Sequence, residues 1–325
     1  LLAELPADLP AIVCVVLHRA PAEEDMLAAL LGRQSALFVK SAVDGERPLP
    51  GTVYIAPVDR HLLLNEHSLT LTRGARENQW RPAIDVLFRS AAVTFGPRVI
   101  GVILSGALDD GASGIEAIKR CGGIAIVQEP GDAQAPDMPG AALRHTKVDA
   151  VVPARAIASV IQEMVVRPAG PAPAIPRELL LEVQIAATAA ASVEMQNDLG
   201  QLTPLSCPDC GGPLWKVHGE FLRLRCLTGH ALSAKSLEYG QTRQLETALW
   251  SAIRQFEQRA NLMHTMADSA ERLGRSTAAS SYGDRAREAR WHAEVLRTLL
   301  LERVHDAPEP EPPHATPSRT RPRAK

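Results

Sequence analysis

Residues 99–139 alternate between two hydrophobic patterns in a way that few architectures tolerate. Val99-Ile100-Gly101-Val102-Ile103-Leu104 is a β-branched run of strand length, and Ile124-Ala125-Ile126-Val127 is a second. Between them Ile115, Ile118 and Cys121 recur at helical spacing, while Glu116, Lys119 and Arg120 face the other way. Gly122-Gly123 stops the helix. Strand, helix and strand at this spacing form a βαβ unit, the crossover that two parallel strands require. The turn after the first strand carries Ser105-Gly106 and then Asp109-Asp110-Gly111. Open parallel sheets bind ligands in such turns, at the carboxyl ends of strands. Either aspartate is therefore a candidate for chemistry, or a cap for the helix behind it.

Upstream, Ala11-Ile12-Val13-Cys14-Val15-Val16-Leu17 reads as a buried strand with His18 at its end, again the position the sheet rule favours. A lone histidine there also suits a cap or a core, so it needs a partner. His61, after Pro57-Val58-Asp59-Arg60, is a candidate cleft residue at the start of a hairpin-like insertion. The 325 residues, 46% of them hydrophobic, allow one large domain and something smaller. A formal net charge of −2 argues against a nucleic-acid-binding surface. No apolar run reaches the length of a membrane span, and no signal peptide is visible. Three of the five cysteines share one short window instead of forming a disulfide framework, which predicts a cytoplasmic protein. The chain opens on Leu1-Leu2-Ala3-Glu4-Leu5 without an initiator methionine, as if inside a helix, and a truncated amino terminus is expected.

A Pro/Ala/Gly-rich linker occupies residues 167–176, followed by a helix from Leu179 to Ala191 expected to pack on one of the domains. Cys207, Cys210, Cys226 and His230 then give C-x2-C-x15-C-x3-H. Thiolates and an imidazole at this spacing suit tetrahedral zinc, and four protein ligands leave no open position, so the expected role is structural. His218 is an alternative ligand, and Leu222 and Leu224 alternate with Arg223 and Arg225 as in a ribbon strand. Beyond Ser236, apolar stripes through Leu245, Ile253, Met263 and Ala270, and through Ala286, Ala293 and Leu300, predict two helices. These pair as an antiparallel hairpin or serve homo-oligomerisation. The predicted boundaries are a catalytic domain at 1–165, a linker and helix at 166–200, a zinc-ribbon-like module at 201–235, a helical hairpin at 236–305 and a disordered tail at 306–325.

Several of these segments together resemble CheB-type protein-glutamate methylesterases. They are Ser105-Gly106-Ala107-Leu108-Asp109-Asp110-Gly111, the loop at Gln128, Met138-Pro139, PGTVYIAP at 50–57, Arg60-His61-Leu62, and Arg81-Pro82 through Phe88. They occur in the family's order across about residues 1–160, and the ribbon with its helical tail resembles an extension carried by some members that lack a receiver domain. The resemblance implies a doubly wound α/β fold with a mostly parallel sheet. It also implies a cofactor-free Ser-His-Asp triad that hydrolyses glutamyl methyl esters on methyl-accepting chemoreceptors and can deamidate glutamines. By position His18 matches the triad histidine and Asp110 the triad aspartate. Ala107 and Leu108 lie near the oxyanion, where the family commonly has methionine and glycine, and His61 and Met138 are placed in the substrate region. The family's glycine-rich serine turn has no counterpart between residues 1 and 18, and Ser105, on the aspartate's own loop, is a poor substitute. The nucleophile is thus expected upstream of Leu1, making the longer protein an esterase and this chain alone inactive. The competing readings are a non-catalytic esterase-like docking protein and an esterase for another acyl substrate.

Overall fold

The computed structural model describes residues 1–19, 26–219 and 221–304, so the tail expected at 306–325 lies outside the described residues. The chain divides into two compact units, residues 1–240 and 241–325. In the first, β1 (Val13–Val15), β2 (Phe38–Ser41) and β3 (Thr52–Ile55) form a parallel sheet in the order β1-β3-β2, with α1 (Leu27–Gly32) between β1 and β2 in sequence. The hairpin of β4 (His61–Leu64) and β5 (Leu69–Thr72) follows, then α2 (Ile84–Phe95). β6 (Ile100–Ile103), β7 (Ile124–Gln128) and β8 (Ala150–Val152) make a second parallel sheet, connected through α3 (Ala112–Arg120) and α4 (Asp137–His145). α5 (Ala154–Val165) comes next. The fold is α/β, as the βαβ pattern predicts. The parallel strands fall into two groups of three, with β1 and β6 each at an edge. Phe88 and Val99 pack into the cores under both groups and tie them together.

The helix predicted from Ile115, Ile118 and Cys121 is α3, and all three side chains are buried against β6 and β7 in one cluster with Ile103, Ala125 and Val127. α3 also crosses α2 closely. A Cβ on Gly114 would lie 2.6 Å from the Phe88 Cβ and 3.1 Å from the Asp85 Cα, atoms that cannot swing aside. Helix propensity favours Ala over Gly by about 1 kcal/mol, whereas overpacking a core costs about 1–3 kcal/mol. With backbone in the contact the clash wins. Gly114→Ala is expected to cost a net of up to about 2 kcal/mol, read as a lower urea midpoint with an unchanged slope.

α6 (Arg177–Thr188) docks on the α/β part as expected, Leu179 entering the α3 cluster and Ala186 packing with Leu63, Ala83 and Val86. After α7 (Val193–Leu199), four antiparallel strands run in the order β12-β11-β10-β9. They are β9 (Gly200–Ser206), β10 (Pro213–Val217), β11 (Arg223–Cys226) and β12 (Ala231–Ser233). α8 (Ala234–Arg272) begins directly after β12, and α9 (Ser276–Val304) follows a turn at Gly274. In the second unit Ile253, Ala293 and Leu300 are buried together with Leu249, Phe256 and Leu296 around them, the antiparallel pairing predicted from the stripes. Two details differ from the sequence reading. Leu245 is 46% exposed, and the serine-rich stretch is already helical from Ser276.

Candidate active site

α2 starts without a side-chain cap, because Ala83 holds the capping position. Its first backbone N–H groups therefore need an acceptor from elsewhere. Asp110 supplies it: Oδ2 accepts from Ile84 N at 2.7 Å and Oδ1 from Asp85 N at 3.3 Å. The aspartate thus caps α2 and not the helix behind it, an anion seated on a helix N-terminus. The same Oδ2 lies 2.7 Å from Nε2 of His18, and Asn78 Nδ2 donates to Oδ1 at 3.1 Å. Burial works against the Asp110 charge, but His18, the Ile84 N–H and Asn78 together hold its carboxyl below the ordinary value. An ionised carboxylate only accepts, so Nε2 of His18 carries a proton, and in the neutral ring the lone pair lies on Nδ1. Trp80 stacks face to face on the imidazole, with centroids 4.4 Å apart and planes at 0°. The histidine is thereby fixed in position, tilt and tautomer. His18 and Asp110 follow the carboxyl ends of β1 and β6, one from each parallel sheet.

Beneath the pair lies a second carboxyl. Asp85 accepts from Ser113 Oγ at 2.7 Å, Gly114 N at 2.6 Å and Asn78 Nδ2 at 2.9 Å. Burial and the neighbouring Asp110 charge push it up to about 7. Asp109, the other acid of the turn, points away and accepts from Ser233 Oγ at 2.8 Å. Of the two aspartates left open by the sequence, only Asp110 meets the histidine.

The remaining candidates have other surroundings. His61, expected to line the cleft, is 1% exposed, with Nε2 against the Ala75 carbonyl at 3.0 Å and Nδ1 accepting from Ala83 N at 3.2 Å. Burial keeps it neutral, and both nitrogens are engaged, so it braces the start of α2 and has no edge for a substrate. Met138 is likewise buried and forms the floor of the turn: a Cβ on Gly106 would sit 2.1 Å from its sulfur. Ala107 is exposed above that floor, and the N–H of Leu108, at φ +64°, points at Asp137 Oδ2, 3.4 Å away. Ser105 Oγ accepts from Ala135 N at 2.8 Å, an anchoring contact for the turn.

In the ribbon the ligand atoms of Cys207, Cys210, Cys226 and His230 all lie within 4.8 Å of one another. Sγ of Cys226 is 3.6 Å from that of Cys210 and 3.4 Å from Nδ1 of His230. Metal–sulfur bonds near 2.3 Å in a tetrahedron place ligand atoms roughly 3.5–3.8 Å apart, so the donor set fits a zinc-sized ion. The contact between Cys207 and Cys226 lowers the Cys226 thiol and raises that of Cys207, so the pair shares a proton that metal ligation would displace.

The residues that sequence reasoning missed are Asn78, Trp80 and Asp85, together with Ser233 of β12 and Ser236 of α8. The faint available signal was Asn78-Gln79-Trp80, an aromatic among polar residues just ahead of Arg81-Pro82.

Comparison with known proteins follows the same residues. The family model for CheB methylesterase matches residues 1–161. A protein-glutamate methylesterase/protein-glutamine glutaminase of Methanosarcina mazei is 38% identical over 173 residues, 51% of this chain and 47% of that one. A second relative, from Leptospira interrogans and named for the same pair of activities, is 35% identical over 161 residues, 49% of this chain and 83% of that one. The crystal structure of the Thermotoga maritima CheB methylesterase catalytic domain has 35% identity and a TM-score of 0.49, covering 50% of this chain and 89% of that one. The chain spans about half the length of the first of these relatives. Residues 1–161 match the family model, and the alignment takes in more than four fifths of the Leptospira protein: the chain belongs to the CheB methylesterase family.

Proposed function

We propose that His18 and Asp110 are the base and its orienting acid in a serine esterase that hydrolyses glutamyl methyl esters on a cytoplasmic chemoreceptor domain. The observation that carries this reading is the 2.7 Å bond from His18 Nε2 to an aspartate seated on the α2 N-terminus. In the proposed reaction Nδ1 of His18 takes the proton of a serine hydroxyl as its oxygen attacks the ester carbonyl. Asp110 stabilises the imidazolium that forms. Collapse of the tetrahedral adduct breaks the ester C–O bond, and the imidazolium proton leaves with methanol. Water, deprotonated by the same nitrogen, then attacks the acyl-serine; the acyl C–O bond breaks, the imidazolium returns its proton to the serine oxygen, and free glutamate leaves. A glutamine side chain reacts by the same steps with ammonia as leaving group. On this reading the serine comes from sequence upstream of Leu1, since Ser105 is held by Ala135. The four-ligand cluster holds a structural zinc, with no open position for chemistry. No helix among the described residues is long and apolar enough to cross a membrane, in keeping with a cytoplasmic site of action.

The test is methanol release from a methylated receptor fragment. It compares this chain, a longer chain carrying the sequence encoded upstream of Leu1, and the longer chain with His18→Ala. Release by the longer unmutated chain alone is the expected result. Three inactive but folded proteins would favour the non-catalytic docking reading.

A further inference from the structure

The ribbon reaches the histidine–aspartate pair through one short turn, residues 77–80. Asn78 and Gln79 have φ of +48° and +73°, left-handed conformations that asparagine adopts readily and glutamine less so. The ribbon and the start of α8 hold this turn. Asn78 N donates to the Ala231 carbonyl at 2.8 Å, and Asn78 Oδ1 accepts from Ser233 N at 3.0 Å and Ser236 Oγ at 3.1 Å. Ser233 N can only donate, so the amide orientation is fixed, and Nδ2 must face the two carboxylates of Asp85 and Asp110. All the hydrogen-bonding capacity of this buried side chain is used, half on β12 and the start of α8 and half on the acids. Two residues on, Trp80 stacks on His18. The ribbon strands making these contacts are pinned at the metal cluster: Ala231 directly follows His230, and Arg225, which binds Glu77 at 2.8 Å, directly precedes Cys226.

We infer that the metal-closed ribbon is a positioning clamp on the His18–Asp110 pair, acting through Asn78 and Trp80, so that loss of the metal releases the pair's geometry. The inference rests on the proposed reading of the cluster as a zinc site and of the pair as the base. Asn78 is a positioning residue: it touches the aspartate and the ribbon, not the reacting atoms. With a metal held by Cys207, Cys210, Cys226 and His230, β11 and β12 would be pinned against the turn, and the turn would set the imidazole.

The clamp is tested on the full chain by reading the His18 imidazole in long-range 1H–15N correlation spectra, with metal content measured in parallel. Zinc-loaded protein is expected to hold one ion per chain and to show His18 as a single Nε2–H tautomer. Chelation is expected to turn this into a mixture of tautomers, and added zinc to restore it. Asn78→Ala is expected to keep its zinc yet show the mixture with the ion bound, and chelation then adds nothing. A chain that binds no zinc, a His18 signal unmoved by chelation, or a single tautomer in Asn78→Ala would each overturn the clamp. If chelation unfolds the chain, zinc-bound Asn78→Ala decides alone. None of these readouts needs hydrolysis, so failure of the esterase reading and failure of the clamp are separable. In a longer, active chain Asn78→Ala is expected to lower kcat about 10–100-fold with KM held.

Discussion

Asp110→Asn in an active longer chain is expected to lower kcat by about 10^3–10^4 with KM little changed, a loss of the size seen when a triad carboxylate becomes an amide. The pocket explains the size. Asp110 receives only donors: Ile84 N–H, Asp85 N–H, Asn78 Nδ2 and the protonated Nε2 of His18. An amide accepts at one end and donates at the other. Ile84 N–H and His18 share Oδ2 while Asp85 N–H and Asn78 share Oδ1, so an NH2 in either place faces two donors. Either way the amide carries no charge to stabilise the imidazolium, and with its NH2 towards His18 the ring proton moves to Nδ1 and blocks the nitrogen that takes the serine proton. Asp109→Asn is the control. Asp109 accepts from Ser233 Oγ, as an amide oxygen also can, so hydrolysis should stay within about tenfold of the parent. Comparable losses from the two variants would detach catalysis from the His18–Asp110 pair.

The parts of this arrangement that are legible in sequence are those written in local pattern. The βαβ unit follows from β-branched runs flanking Ile115, Ile118 and Cys121, and all three of these side chains are buried where the period places them. His18 and Asp110 are visible as ends of strands, although neither stands out from a cap until the family's motifs align them. The network around them is not legible. Asn78 is held by Ala231, Ser233 and Ser236, the two serines 155 and 158 residues further on, and no local period encodes such a contact. His61 shows the opposite failure. Its loop suggests exposure, but the β4–β5 hairpin folds it inward, where two backbone groups use its nitrogens. In β11 the alternation of leucine and arginine predicts leucines in and arginines out. Instead Arg223 and Arg225 are buried alongside Leu224, while Leu222 is 44% exposed. Charges can enter a core when they are paired, and here the partners come from separate elements.

Those partners set the largest expected effect on stability. Glu182 of α6 accepts from Arg223 with both oxygens, at 2.8 and 2.7 Å, and from Arg225 at 3.2 Å. Glu77 takes Arg225 on one oxygen and Arg89 of α2 on the other. The network joins the α/β part, α6 and the ribbon, and every member is buried. Glu182→Gln keeps the shape but leaves Arg223 without a carboxylate, and an uncompensated buried charge costs about 3–5 kcal/mol. The double variant Glu182→Leu with Arg223→Leu removes both charges and should cost less than Glu182→Leu alone. Burial opposes the Glu182 carboxylate, yet Arg223, Arg89 and Arg225 outweigh it and bring the group from its ordinary 4.5 down to about 2. A lowered folded-state value means that this stability is complete above about 4.5 and drains away as the pH falls towards 2. The shift corresponds to about 3 kcal/mol, the same order as the substitution. Urea titrations of parent and Glu182→Gln at pH 7 and down the acid limb check both statements: the gap should be widest at neutral pH and close as Glu182 protonates. Equal midpoints at pH 7 would mean that desolvation of these charges cancels their attraction, and that the ribbon is held to the α/β part by its apolar contacts and backbone hydrogen bonds instead.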